Sequence, residues 1–156
     1  MGRLWAPWRI KYIRLAKKEK RCIFCLAKSA KGKERVVFRT KYSICVLNIF
    51  PYNNGHLMVA PLRHTGDLDT LTEKEGIDIL QSIIRAKKLL KKTLKPDGFN
   101  IGANIGKAGG AGITGHLHIH IVPRWFGDTN FMPVVNNTKI ISQSLDELLI
   151  KLRHAE

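Results

Sequence analysis

Two rhythms of apolar residues run through the chain. VVFRT (36–40) and SICVLNI (43–49) are strand-length apolar stretches, joined by a short connection around Lys41 and Tyr42. PYNNG (51–55) carries strong turn chemistry and delivers the chain into HLMVAP (56–61), a third strand that Pro61 ends. Beyond it the step changes to three and four. Leu71, Ile77, Leu80, Ile83, Ile84 and Leu90 predict an amphipathic helix, starting near Thr72 with Glu73 and Glu75 in its first turn and closed by Pro96-Asp97-Gly98. FNIGANI (99–105) predicts a fourth strand and HLHIHIVPRW (116–125) a fifth. The tail SQSLDELLIKLRHAE has helical spacing, with Ser142 or Ser144 as its cap, and the opening WAPWRIKYIRLAKKEK runs from an apolar-aromatic knot into a basic helix. Strands linked mostly by turns around one long helix predict the α+β class. The expected architecture is an antiparallel sheet of about five strands, one long helix and terminal helices.

At 156 residues the expectation is one domain, residues 1–156, with a basic N-terminal extension over about 1–35 that carries a Cys-x-x-Cys. No apolar run approaches the roughly 20 residues of a membrane span, and no N-terminal stretch resembles a secretory signal, so a cytoplasmic protein with no membrane partner is expected. The charge balance is uneven: 27 Lys and Arg against 12 Asp and Glu, a net +15. Residues 1–35 hold twelve basic and two acidic residues (Glu19, Glu34), which is 12 − 2 = +10. Arg85, Lys87, Lys88, Lys91, Lys92 and Lys95 form a second cluster on the long helix. Such a field suits anionic partners, whether polyphosphates, nucleotides or nucleic acid; a solvated lysine-rich surface has the same composition. The three cysteines, Cys22, Cys25 and Cys45, are an odd number and argue against a disulfide scaffold. CIFC (22–25) is then half of a metal site or a redox pair.

The chemistry concentrates in HLHIHIV (116–122), which holds three of the chain's six histidines. On a strand, His116, His118 and His120 share one face while Leu117, Ile119 and Ile121 share the other, the core side. A strand needing only a polar face would use Thr, Lys or Glu. Imidazoles at this spacing suit metal ligation, or nucleophilic attack on phosphorus with the second ring nitrogen tethered. Just upstream, GKAGGAGITG (106–115) has five glycines in ten residues. Standing alone it would be a flexible hairpin loop; before the histidines it reads as a cradle of backbone N–H groups for a phosphate.

HLHIHIV matches every position of the pattern His-φ-His-φ-His-φ-φ, with φ apolar, and on it the chain resembles the histidine triad proteins. LNIFPYNNGHLMVAPLRH resembles that family's upstream strand–turn–strand, and GFNIGANIG with the glycine-rich loop resembles its phosphate-contacting section. LWAPWRIKYI and HIVPRW resemble a bacterial branch related to diadenosine tetraphosphate phosphorylases and hydrolases. The resemblance implies an enzyme that cleaves dinucleoside polyphosphates through a nucleotidyl-histidine. His118 would attack the α-phosphorus, His120 would hydrogen-bond the phosphate near the scissile bond, and His56 would support them from the neighbouring strand. Asn48 matches a ribose contact and Asn104 a phosphate-contacting amide. Gly112 and Thr114 are the loop's candidates for the phosphate, because the serine some relatives use there is missing. Val46 and Met58 share strand faces with Asn48 and His56, as nucleobase-pocket lining or as plain core. Arg124 and Trp125 follow the triad directly and would border the leaving group or pack at the sheet edge.

The resemblance also implies structural zinc held by Cys22, Cys25, His64 and His116, with no organic cofactor, and a homodimer. Left open are a purine nucleoside phosphoramidase, a nucleotide- or nucleic-acid-binding module with little turnover, and a hydrolase using the triad as metal ligands.

Overall fold

The computed structural model of the protein describes residues 22–28, 35–128 and 141–156. The N-terminal aromatic knot and basic helix, and the charged loop after CIFC, lie largely outside the described residues. A short helix α1 (Ile23–Ala27) precedes three strands, β1 (Val36–Arg39), β2 (Ser43–Leu47) and β3 (Leu57–Pro61). The long helix α2 (Glu73–Leu94) follows, then β4 (Gly98–Ala103), β5 (Ile119–Arg124) and α3 (Leu145–Ala155). The five strands form one sheet in the order β1-β2-β3-β5-β4, every neighbouring pair antiparallel. This is the α+β architecture read from the sequence.

The sheet is covered on both faces, which is why central strands β2 and β3 are buried throughout and read as continuous apolar runs. One face joins Cys45, Leu47, Leu57, Val59, Ile119 and Ile121 to α2 and α3, the main core, with Leu148, Leu149 and Leu152 supplied by α3. The other gathers Ile44, Val46, Met58 and Ala60 around Phe24 and Ala27 of α1. Leu117 belongs to the main core, as its alternation with the histidines requires.

Helix α2 begins in a full capping box: the Thr72 hydroxyl accepts from the Glu75 N–H, and the Glu75 carboxylate accepts from the Thr72 N–H at 2.9 Å. Arg63 grips that carboxylate at 2.9 and 2.8 Å and also donates to the Thr70 carbonyl. At the other end Lys95 takes a left-handed conformation (φ 49°) before Pro96. The buried face of α2 differs in part from the expected one: Leu90 is buried and Leu71 and Ile83 pack against the core, as expected. The buried face holds Ile79, Ser82, Ala86, Leu89 and Leu90, whereas Ile77, Leu80 and Ile84 are exposed. Small residues at 82 and 86 let the helix approach the sheet closely. The Ser82 hydroxyl pairs with that of Ser43 at 2.7 Å, and the Thr40 hydroxyl donates to Asp78 at 2.6 Å, fixing the helix's rotation.

The fifth strand is shorter than expected. Its ladder begins at Ala103↔Ile119, because the Leu117 N–H bonds the Thr65 carbonyl (2.6 Å) outside the sheet. His116 and His118 therefore precede the ladder. At α3, Ser144 occupies the N-cap position but makes no side-chain cap bond. Its C-terminal end is tied to α2 by the Arg85–Glu156 ion pair and by Lys92, which donates to the Ala155 carbonyl. Among the described residues no helix is long and apolar enough to cross a membrane.

The Arg63 guanidinium and the Thr72 N–H hold the Glu75 carboxyl down to about 2. A depressed carboxyl stabilises the fold above the ordinary carboxylate range and loses that contribution as pH falls through its folded value. Thr72→Ala should cost about 1 kcal/mol in denaturant titration at neutral pH. Glu75→Gln should also be less stable than the parent, and that gap should close as pH falls from about 4.5 toward about 2; a gap independent of pH would refute the assignment.

Candidate active site

The ring nitrogens of the histidine row are assigned by their partners. A backbone carbonyl only accepts, so His118 donates its Nδ1–H to the His116 carbonyl at 2.8 Å, leaving Nε2 as the proton-free nitrogen. By the same logic His116 donates Nε2–H to the Pro61 carbonyl at 2.8 Å, leaving Nδ1 proton-free. The Tyr52 N–H donates to His56 Nδ1 at 3.0 Å, so His56 carries its proton on Nε2 and donates to His120 Nδ1 at 2.9 Å. His120 then presents an Nε2–H. Burial holds His116 and His120 down to about 4, and it lowers His118 as well. At neutral pH the row is uncharged, with one lone pair (His118) and one N–H donor (His120) side by side, ring centroids 4.9 Å apart.

Two aromatic residues that the sequence reading passed over close the ends of this row. Phe24, fully buried between the two cysteines of CIFC, lies with its ring centroid 5.1 Å from His116 and 5.0 Å from His118. Its signal was an apolar residue inside a Cys-x-x-Cys. Tyr52 packs 4.7 Å from His56 and 5.6 Å from His120. Asn48 is tied to the same group, its Oδ1 accepting from the Phe50 N–H at 2.9 Å and its Nδ2 lying 3.2 Å from His56 Nδ1. Val46 and Met58 are buried in the cluster around Phe24, against which the partly buried Ile23, Val36 and Ile113 also pack. Asn104 is half-buried beside the glycine-rich loop, and Gly112 and Thr114 are exposed on it. The Thr114 carbonyl sits 2.7 Å from where a Gly66 side chain would begin, so only glycine lets the two loops meet there. Arg124 does not reach toward the row with a free head group. Its guanidinium is bidentate to Asp128 at 2.6 and 2.8 Å and donates to Asn100.

Cys22, Cys25, His64 and His116 converge, with ligand atoms all within 4.8 Å of one another. Cys22 Sγ lies 3.2 Å from His116 Nδ1, and Cys25 Sγ 3.3 Å from His64 Nδ1 and 3.7 Å from His116 Nδ1. The two Nδ1 atoms are 3.2 Å apart. A tetrahedron built on zinc–sulfur bonds of about 2.3 Å and zinc–nitrogen bonds of about 2.0–2.1 Å has edges of roughly 3.3–3.8 Å. The donor set fits such an ion, and the Pro61 carbonyl already turns the lone pair of His116 inward. Cys45 is buried in the main core on the opposite face and takes no part.

The antiparallel sheet and its row of oriented imidazoles define a histidine-triad class of α+β protein. The HIT domain family matches residues 29–127, and the chain belongs to that family. Over 154 residues it is 37% identical to the AP-4-A phosphorylase of Mycobacterium tuberculosis, covering 93% of this chain and 79% of that protein. It is 33% identical over 90 residues to the asymmetrical bis(5'-nucleosyl)-tetraphosphatase of Schizosaccharomyces pombe, covering 58% of this chain and 49% of that protein. Among solved structures, a zinc-bound histidine triad family protein from Mycobacterium smegmatis superposes with a TM-score of 0.70 at 26% identity, covering 90% of this chain and 94% of that one.

The proton assignments can be read directly from nitrogen-15 spectra of the imidazole rings. At neutral pH His118 should be the Nδ1–H tautomer, and His56 and His120 the Nε2–H tautomer. An Nε2–H signal for His118 would remove its free nitrogen from the site.

Proposed function

We propose that this chain is an enzyme, a HIT-family nucleotidyl hydrolase or transferase that cleaves dinucleoside polyphosphates of the diadenosine tetraphosphate type. The observation that carries the reading is the fixed, neutral tautomer of His118 beside the N–H of His120. His118 Nε2 attacks the α-phosphorus; the P–N bond forms as the P–O bond to the bridging oxygen breaks, and the remaining polyphosphate leaves. Water or inorganic phosphate then attacks the same phosphorus, breaks the P–N bond and returns the lone pair to His118. Placing the nucleophile in advance is what such a reaction needs most. His120 donates to the phosphate near the scissile bond, and His56 holds His120 in the donating tautomer. Asn48 takes the ribose. Asn104, the backbone around Gly112 and the hydroxyl of Thr114 take the phosphates. The first nucleobase rests on the apolar ledge over Val46 and Met58. The named relatives, a phosphorylase and a tetraphosphatase, support this substrate class.

In the same reading Cys22, Cys25, His64 and His116 hold zinc. Bound there, the ion is structural and braces α1 against the sheet. No disulfide joins the three cysteines, and thiols and zinc-bound thiolates alike suit a reducing compartment such as the cytoplasm. The exposed Ile77, Leu80 and Ile84 of α2 supply an apolar ridge for a homodimer.

Products from diadenosine tetraphosphate, separated by chromatography with and without inorganic phosphate, test the reaction. ADP plus ATP formed only with phosphate identifies a phosphorylase; AMP plus ATP, or two ADP, without it identifies a hydrolase. His118→Ala should lower turnover by three orders of magnitude or more, on the scale of nucleophile deletions elsewhere. Turnover of adenosine 5′-phosphoramidate alone would replace this reading. Metal analysis of the purified protein should find about one zinc per chain, and Cys22→Ser should lose it. Full zinc retention in that variant would remove Cys22 from the ligand set.

A further inference from the structure

The histidine row has two unlike ends. Beyond His118 lies the buried apolar cluster around Phe24, and beyond His120 lies Tyr52, whose residue is 53% exposed. The Tyr52 ring inclines 33° to His56 and 39° to His120, leaning on both imidazoles while much of it stays open to solvent. The turn beneath it is pinned. The Tyr52 N–H is held by His56, and the Phe50 N–H by Asn48. Next to it, Asn53 donates to the Pro123 carbonyl at 3.0 Å and to Asp128 at 2.8 Å. Gly55 (φ +77°) is closed in by Leu90, Leu94 and Pro123. An aromatic ring half out of the core, on backbone that cannot relax inward, is a preorganised stacking platform.

From this arrangement we propose that Tyr52 forms a second nucleoside subsite, where the base of the leaving nucleotide stacks. The inference rests on the reading of the site as one for dinucleoside polyphosphates. The base of the transferred nucleotide occupies the apolar end beside His118. The nucleophile and its neighbouring donor sit between the two ends, so the departing polyphosphate runs past His120 toward Tyr52. A substrate with two purines then meets two surfaces of different kinds. One is the apolar margin of the Phe24 cluster, where Ile23, Val36 and Ile113 are only partly buried; the other is an open ring that accepts any flat base. The chemistry recognised is a purine or pyrimidine face, with no base-specific hydrogen bond.

Binding to the full-length His118→Ala protein, where substrate survives, provides the test by calorimetry. Diadenosine tetraphosphate is compared with adenosine 5′-tetraphosphate, which has the same phosphate chain and lacks the second adenosine. The dinucleotide should bind roughly tenfold to hundredfold tighter, the range of one base–aromatic stack. Adding Tyr52→Ala or Tyr52→Leu should erase that preference, Tyr52→Phe should keep it, and affinity for the mononucleotide should not move. Tyr52→Leu keeps the bulk against His56 and His120 should the alanine variant fold poorly. Equal weakening of both nucleotides would show that Tyr52 only packs the imidazoles and would overturn the subsite. A preference that survives Tyr52→Leu, or no preference in the parent, would also overturn it while leaving the substrate class standing. If neither nucleotide binds, the substrate class and the subsite fall together.

Discussion

One hydrogen bond decides what this site can do: the His118 Nδ1–H to the carbonyl of His116, two residues back in its own chain. A carbonyl cannot donate, so in the neutral ring the other nitrogen keeps its lone pair. That arrangement has a structural requirement. The carbonyl of His116 must be kept out of the β-ladder, and the chain does this by bonding the Leu117 N–H to Thr65 and the His116 ring to Pro61. The segment that closes β3, from Pro61 to Thr65, is thus a template for the residues entering β5. Gly66 continues that template by allowing contact with the backbone of the glycine-rich loop.

The two faces of the sheet divide the work. The α2/α3 face carries the main core, including Leu117, Ile119 and Ile121. The histidine face carries a smaller cluster sealed by Phe24. That seal affects charge as well as shape. Removing imidazole from water disfavours its cation, and burial accordingly lowers His116, His118 and His120. Neutral rings are a condition of the tautomer scheme, because a protonated imidazole offers two donors and no lone pair. Apolar packing and the lone pair of His118 are linked through Phe24, whose ring lies against His116 and His118 alike.

Much of this was legible in the sequence because it depends on period. Alternation in HLHIHIV separated a chemical face from a core face, and the acidic first turn of Glu73 and Glu75 placed the start of α2 near Thr72, its N-cap. Features set by tertiary partners were not legible. The ridge Ile77, Leu80 and Ile84 has the right spacing for a buried face, yet small Ser82 and Ala86 face the sheet instead. Periodicity weighs large apolar residues and ignores how closely a helix must approach. Arg124, adjacent to the triad, is committed to Asp128 and Asn100 by a turn that neighbour lists in the sequence do not show. Phe24 gave only the faint signal of an apolar residue inside a Cys-x-x-Cys, and Tyr52 gave none. Each became visible only when the fold brought it against an imidazole from a distant part of the chain.

Why three histidines alternate, when one nucleophile and one donor would serve the proposed chemistry, follows from the two ends of His116. Its ring points Nδ1 into the cluster of Cys22, Cys25 and His64, while its carbonyl fixes the proton of His118. The carbonyl comes with any residue, but only an imidazole offers one nitrogen to the cluster while the other donates to the Pro61 carbonyl. A carboxylate or thiolate would supply a metal ligand, but it has no second ring nitrogen to donate to the Pro61 carbonyl and lock its orientation. In the proposed chemistry the first histidine of the motif therefore acts through the backbone rather than through contact with phosphate. A cluster of four metal-type donors can sit beside the proposed nucleophile without competing for it, because the two sites share His116 and use different atoms of it.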